Sequence, residues 1–153
     1  MTAFIKMHGL GNDFIVLDAR EPSNGIPDVI NRALAIALAN RHFGIGCDQI
    51  LVIRPSRQAD VFLQILNSDG SEAMACGNGT RCVADYIMQE FGCDHIAIET
   101  AVGVLRGWRP VENTGDVSVD MGPVHLDWAS VPLADEVNTL SVDLGLPAPV
   151  PAV

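Results

Sequence analysis

Cys76 stands directly before Gly77-Asn78-Gly79, at the entrance to a segment whose apolar spacing is helical. At such an entrance the first backbone N–H groups have no partner within the helix, and the positive end of the helix dipole favours an anion. A thiol placed there is helped toward the thiolate, the form that accepts a proton. Four amides, Asn12, Gln49, Asn67 and Asn78, each offer both donors and acceptors. Singly, each also reads as a turn or cap residue, most clearly Asn67 ahead of Ser68-Asp69-Gly70. Taken with Cys76, they point to a small zwitterion held by uncharged groups near a helix terminus.

These residues fall in three glycine-flanked segments: HGLGNDF over 8–14, GIGCDQ over 44–49, and NSDGSEAMACGNGTRC over 67–82. None has the third glycine of a dinucleotide fingerprint or the Gly-Lys-Ser/Thr of a phosphate-binding loop, so phosphate cradling is not expected. The other cysteines carry weaker signals. Cys82 lies about 240° around the helix from Cys76 and reads as core or rim. Cys93 follows the helix beside Asp94, and Cys47 lies between Gly46 and Asp48. The ordinary reading of each is a small buried hydrophobe. No C-x-x-C pair suggests a zinc site, and no metal is expected.

The elements that must position these segments are legible in the apolar pattern. Strands are expected over 4–7 and 14–18, joined by a tight corner at the two glycines of HGLGND. Between Pro27 and Arg41, Val29, Ala33 and Ala37 run beside Ile30, Leu34 and Leu38, predicting a helix with Pro27 in its first turn. Arg41 and His42 would then lie at its negative end. Strands follow over 50–53 and 61–66. The second helix presents Val83, Ile87 and Phe91 with Ala84 and Met88 inward, and Arg81, Asp85, Gln89 and Glu90 outward. IAIET, GVLRGW and DVSVDMG read as further strands. The order predicts an α+β fold with a largely antiparallel sheet.

Composition bounds the function. The 153 residues carry 9 Lys and Arg against 19 Asp and Glu, a formal net charge of −10, and are 48% hydrophobic. That supplies a core and excludes intrinsic disorder. The acidic balance argues against nucleic acid as a partner and against an anionic membrane surface. No stretch approaches the ~20 apolar residues of a membrane span, and four thiols without disulfide-scaffold density fit a cytoplasmic protein.

The text from HGLGNDF through RHFGIGCDQILVI and NSDGSEAMACGNGTRCVADYI to IET, GVLRG and VSVDMG resembles the N-terminal half of the diaminopimelate epimerase family. The likeness covers about residues 3 to 124. It implies a fold of two similar halves, each a curved antiparallel sheet wrapped around a central helix, with substrate between them. It further implies an isomerase without cofactor, in lysine and peptidoglycan precursor synthesis, inverting one α-carbon of LL-diaminopimelate to the meso form. On the matching positions, Cys76 would be one of two catalytic cysteines. The backbone at Gly77 and Asn78 would hold the α-carboxylate, and the side chains of Asn12, Gln49, Asn67 and Asn78 would help select the distal amino-acid end.

The resemblance also implies a second half carrying the opposite cysteine. Residues 1–145 read as one domain, and 146–153, LPAPVPAV, as a Pro-rich linker or edge strand toward a C-terminal domain absent from this sequence. The isolated chain is therefore expected to be inactive. Two alternatives compete. One is a homodimer that pairs two Cys76 thiols through the exposed interdomain surface. The other is a non-catalytic binding or association domain that retains the fold.

Overall fold

The computed structural model describes residues 3–111, 115–131, 133–143, 145 and 150–151. Two compact units divide the chain, Met1–Met121 and Gly122–Val153. The expected Pro-rich segment over 146–153 lies outside the described residues apart from Val150–Pro151.

The first unit is a seven-stranded sheet with its strands in chain order: β1 (Ile5–Gly9), β2 (Asn12–Asp18), β3 (Gln49–Arg54), β4 (Val61–Asn67), β5 (His95–Thr100), β6 (Gly103–Trp108) and β7 (Ser118–Asp120). The β2–β3 and β4–β5 pairs are parallel and the other four antiparallel, so the sheet is mixed, with antiparallel pairing predominant. Two helices cross over in the parallel connections, α1 (Arg32–Ala39) and α2 (Gly77–Phe91). Both edge strands, β1 and β7, pack on α2, so the sheet curls around that helix.

Alternation along the strands builds two cores. Phe14 and Val16 of β2, Leu51 and Ile53 of β3, and Val61, Leu63 and Ile65 of β4 face α2, where they meet Val83, Ala84, Ile87 and Met88. Ile15 and Leu17, Ile50 and Val52, and Leu66 point the other way, onto Ala35 and Ala39 of α1. Strands buried on both faces read as unbroken apolar runs, as FIVL and ILVI do. Burying each of Val83, Ile87 and Met88 contributes about 1.5–3 kcal/mol.

Two helical expectations change. The first helix begins at Arg32, because Asn31 caps it by accepting the Leu34 amide at 2.9 Å; Pro27 lies outside. Its buried side carries Ala35 and Ala39 with Leu34 and Leu38, while Val29, Ala33 and Ala37 face solvent. In α2, Phe91 ends the helix half exposed, with the Arg20 guanidinium 5.8 Å over its ring, because the helix has passed the edge of the core there.

The second unit carries a two-stranded antiparallel ribbon, β8 (Ser141–Val142) with β9 (Val150–Pro151). Within it the Thr139 hydroxyl donates to the Leu126 carbonyl at 2.5 Å. Among the described residues no helix is long and apolar enough to cross a membrane.

Candidate active site

The N-terminus of α2 is where the polar residues of the three segments converge. Cys76 is its N-cap, in extended conformation (φ −153°, ψ 102°), and its sulfur accepts a hydrogen bond from the Gly79 amide at 3.4 Å. The Cys76 carbonyl accepts both the amide and the hydroxyl of buried Thr80, each at 2.8 Å, which fixes the cysteine's backbone to the first turn. Gly77 and Asn78, as the first two helical residues, present N–H groups that no carbonyl of their own helix accepts.

Close packing sets the height of this turn. A Cβ on Gly79 would lie 2.9 Å from Cδ2 of Leu51, so glycine lets the helix settle directly onto β3. A Cβ on Gly77 would meet only the Met121 sulfur, at 3.8 Å, leaving that residue's backbone open to approach.

The strand ends place the amides around the turn. Asn12 precedes Phe14 and Val16, Gln49 precedes Leu51 and Ile53, and Asn67 follows Leu63 and Ile65 on the α2 face. By the two-residue period, each amide is the last rung of an inward stripe, at the end of the sheet where α2 begins. The Gln49 amide donates to Asn67 Oδ1 at 2.9 Å across the β3–β4 register. The Asn78 amide donates to Asn12 Oδ1 at 2.8 Å, joining the helix to β2. Cys76, Gly77, Asn78, Asn12, Gln49 and Asn67 are all half-buried.

The rest of the two shorter segments is scaffold. Leu10 and Gly11 turn the β1–β2 hairpin with φ of +50° and +93°. Asp13 and Asp48 cap each other: the Asp13 amide donates to Asp48 Oδ2 at 3.0 Å and the Asp48 amide to Asp13 Oδ1 at 3.1 Å. Arg41 bridges both carboxylates, at 2.6 Å and 2.8 Å, and Lys6 pairs with Asp13 at 2.7 Å. Hydrogen bonds from Arg41 and then Lys6 hold the Asp13 carboxyl well below the usual carboxylate range. Arg41 thus serves this clamp rather than the dipole of α1. The amides of Ile45 and Gly46 satisfy the Leu38 carbonyl at the end of α1, and the chain then enters β3 at Gln49.

None of the remaining cysteines joins the hydrogen bonds of this turn. Cys47 is buried against α1 on the opposite side of the sheet, and burial pushes its thiol pKa up. Burial does the same to Cys82, whose sulfur lies 3.6 Å from the His8 carbonyl. Cys93 follows the far end of the 15-residue α2, about 22 Å of helix from Cys76. All four thiols are free. Two supporting residues are absent from the sequence-derived set: Thr80, which secures Cys76, and Arg81, whose guanidinium donates to Asn78 Oδ1. Thr80 had a readable signal, a hydroxyl four residues after a cap, where it can reach the cap's carbonyl.

Residues 4–126 match the diaminopimelate epimerase family profile. A diaminopimelate epimerase from Rhodospirillum centenum is 51% identical over 144 residues, 93% of this chain and 47% of the relative. Another from Acidiphilium cryptum is 48% identical, over 94% of this chain and 50% of the relative. The chain spans about half the length of these curated relatives. A hydroxyproline epimerase structure from Agrobacterium vitis shares the fold, with a TM-score of 0.58, 17% identity, and coverage of 81% of this chain and 43% of that one.

Proposed function

Because this chain belongs to the diaminopimelate epimerase family, we propose that it forms the N-terminal half of an amino-acid epimerase active site, with Cys76 as one of its two proton-transfer residues. The observation that carries this reading is the position of Cys76 as N-cap of the helix around which the sheet curls, with Asn78 of that helix hydrogen-bonded to Asn12 and with Gln49 paired to Asn67 at the strand ends.

In this reading the substrate's α-carboxylate docks on the open N–H groups of Gly77 and Asn78, where the helix dipole supplies up to about 2 kcal/mol of stabilisation. That interaction grows as the α-carbon loses its proton and charge passes into the carboxylate, so it lowers the barrier. The Cα–H bond breaks, its electron pair delocalises into the carboxylate, and the proton moves to the Cys76 sulfur. A second thiol then delivers a proton to the opposite face, and the two exchange roles in the reverse direction. Asn12, Gln49, Asn67 and the Asn78 side chain select the distal end of diaminopimelate by hydrogen bonding. No cofactor takes part in this scheme.

Cys47 is buried on the α1 side of the sheet, Cys82 is buried one turn beyond Asn78 with its thiol against the His8 carbonyl, and Cys93 follows the far end of α2, so none is suited to the opposite role. We therefore assign the second base to a C-terminal half beyond these 153 residues and expect the isolated chain to be inactive. We place the reaction in the cytoplasm, where thiols stay reduced, within lysine synthesis.

The test is a fusion of this chain to the C-terminal half of the Rhodospirillum centenum relative, assayed with LL-diaminopimelate and with proline and hydroxyproline. Interconversion of LL- and meso-diaminopimelate alone supports the assignment. Turnover of proline or hydroxyproline in preference to diaminopimelate overturns it, and turnover by the unfused chain overturns the two-half scheme.

A further inference from the structure

The Asn78 side chain is held from two sides. Its oxygen accepts from the Arg81 guanidinium one turn further along α2, and its nitrogen donates to Asn12 Oδ1 at 2.8 Å. An amide is pseudo-symmetric, so packing alone does not decide which end is oxygen; a cation on one side does, because guanidinium only donates. With the Asn78 oxygen committed to Arg81, its NH2 must face Asn12, and the Asn12 oxygen must receive it. The Asn12 NH2 is thereby turned outward as a donor for an acceptor group of a ligand.

Arg81 itself lies on the wall of an open groove of about 430 Å³ between the β1–β2 hairpin and α2, shared with His8, Leu10 and Asp85. It is half-buried, and its neighbour Asp85 is engaged with Arg109 at 2.6 Å. A helix-surface arginine serving only as a solvated charge would not need its guanidinium turned onto a neighbouring amide oxygen.

We propose that Arg81 is a positioning residue that polarises the amide chain Arg81 to Asn78 to Asn12 in one direction, so that the site presents a donor at Asn12. This rests on the functional reading above for the use of that donor, but the chain of hydrogen bonds can be tested without substrate. In the ¹⁵N-labelled chain, the side-chain NH2 signals of Asn12 and Asn78 are identified by their loss in Asn12→Asp and Asn78→Asp. Their exchange with water is then compared in wild type, Arg81→Met and Arg81→Lys. The expected result is exchange at least about fivefold faster at the Asn78 NH2 in Arg81→Met, the factor a hydrogen bond of ~1 kcal/mol represents, while the Asn12 NH2, which donates to neither partner of the chain, stays within twofold of wild type. Arg81→Lys should stay within twofold of wild type, and so should the Ile87 backbone amide in all three proteins. Unchanged exchange at the Asn78 NH2 in Arg81→Met overturns the proposal. So does faster exchange that extends equally to Ile87, which would mark a general role in helix stability. Failure here leaves the substrate assignment standing, and failure of the fusion to act on diaminopimelate leaves the amide chain standing.

Discussion

The sulfur of Cys76 lies 3.4 Å from the amide nitrogen of Gly79, so the thiol that chemistry singles out is also the N-cap of the helix that carries it. In the proposed reading, reactivity and architecture share one atom. A base held in this way would need no separate device to orient it, because the helix start fixes its direction.

Capping and catalysis can be separated by substitution. Cys76→Ser keeps an acceptor at the cap and should leave stability within about 0.5 kcal/mol of wild type. Cys76→Ala removes the acceptor and should cost about 0.5–2 kcal/mol. Urea denaturation of both variants measures the difference; equal stabilities would show that the sulfur does not cap.

The two glycines flanking Asn78 should behave differently. Gly77→Ala puts a methyl group 3.8 Å from the Met121 sulfur and should fold with stability close to wild type. Gly79→Ala drives a Cβ to 2.9 Å from Leu51 Cδ2 and should cost about 1–3 kcal/mol by overpacking. Thermal melts compare them, and a Gly79→Ala protein as stable as wild type would contradict the close approach of α2 to β3.

Thiol reactivity should rank by position. Cys47 and Cys82 are buried and their thiols are pushed toward the protonated form, whereas Cys76 is half-buried at a helix N-terminus. Iodoacetamide on the native chain, read by peptide mass mapping, should label Cys76 at least about tenfold faster than either. Preferential labelling of Cys47 would contradict the placement of that residue against α1.

The clamp around Asp13 gives a pH dependence with a definite sign. Its carboxyl is held below the ordinary range by Arg41 and Lys6, so its contribution is present above the unfolded value near ~3.9 and is lost as pH falls toward the lower folded value. Asp13→Asn should cost about 1–2 kcal/mol at pH 7, allowing for partial exposure. The gap from wild type should narrow below about pH 4. Denaturation curves at pH 7 and pH 3 measure it; a gap that widens in acid would refute the clamp.

Much of this arrangement is legible in the sequence for a local reason. FIVL, ILVI and the stripe Val83, Ala84, Ile87 and Met88 reveal their elements because each pattern reports burial within a single element. Cys76 before Gly77-Asn78-Gly79 is likewise a local signal, readable from cap chemistry. The pairing of Asn78 with Asn12, 66 residues apart, is not, since it depends on where α2 lands on the curled sheet. Arg41 shows the same limit. Beside a helix end it reads as a dipole partner, but the parallel register of β2 with β3 brings Asp13 and Asp48 together within its reach. Pro27 suggested an earlier helix start, and the Asn31 side chain overrode it with a hydrogen bond to Leu34.

The central claim is that Cys76 moves the α-proton and that its partner lies outside this chain. The most direct measurement follows LL-diaminopimelate in D2O by NMR with the fusion, its Cys76→Ser variant and the unfused chain. Meso product with deuterium at the inverted α-carbon should appear with the fusion, slow by about 10²–10⁴-fold in Cys76→Ser, and be absent with the unfused chain. Undiminished meso formation in Cys76→Ser, or turnover by the unfused chain, would contradict the account.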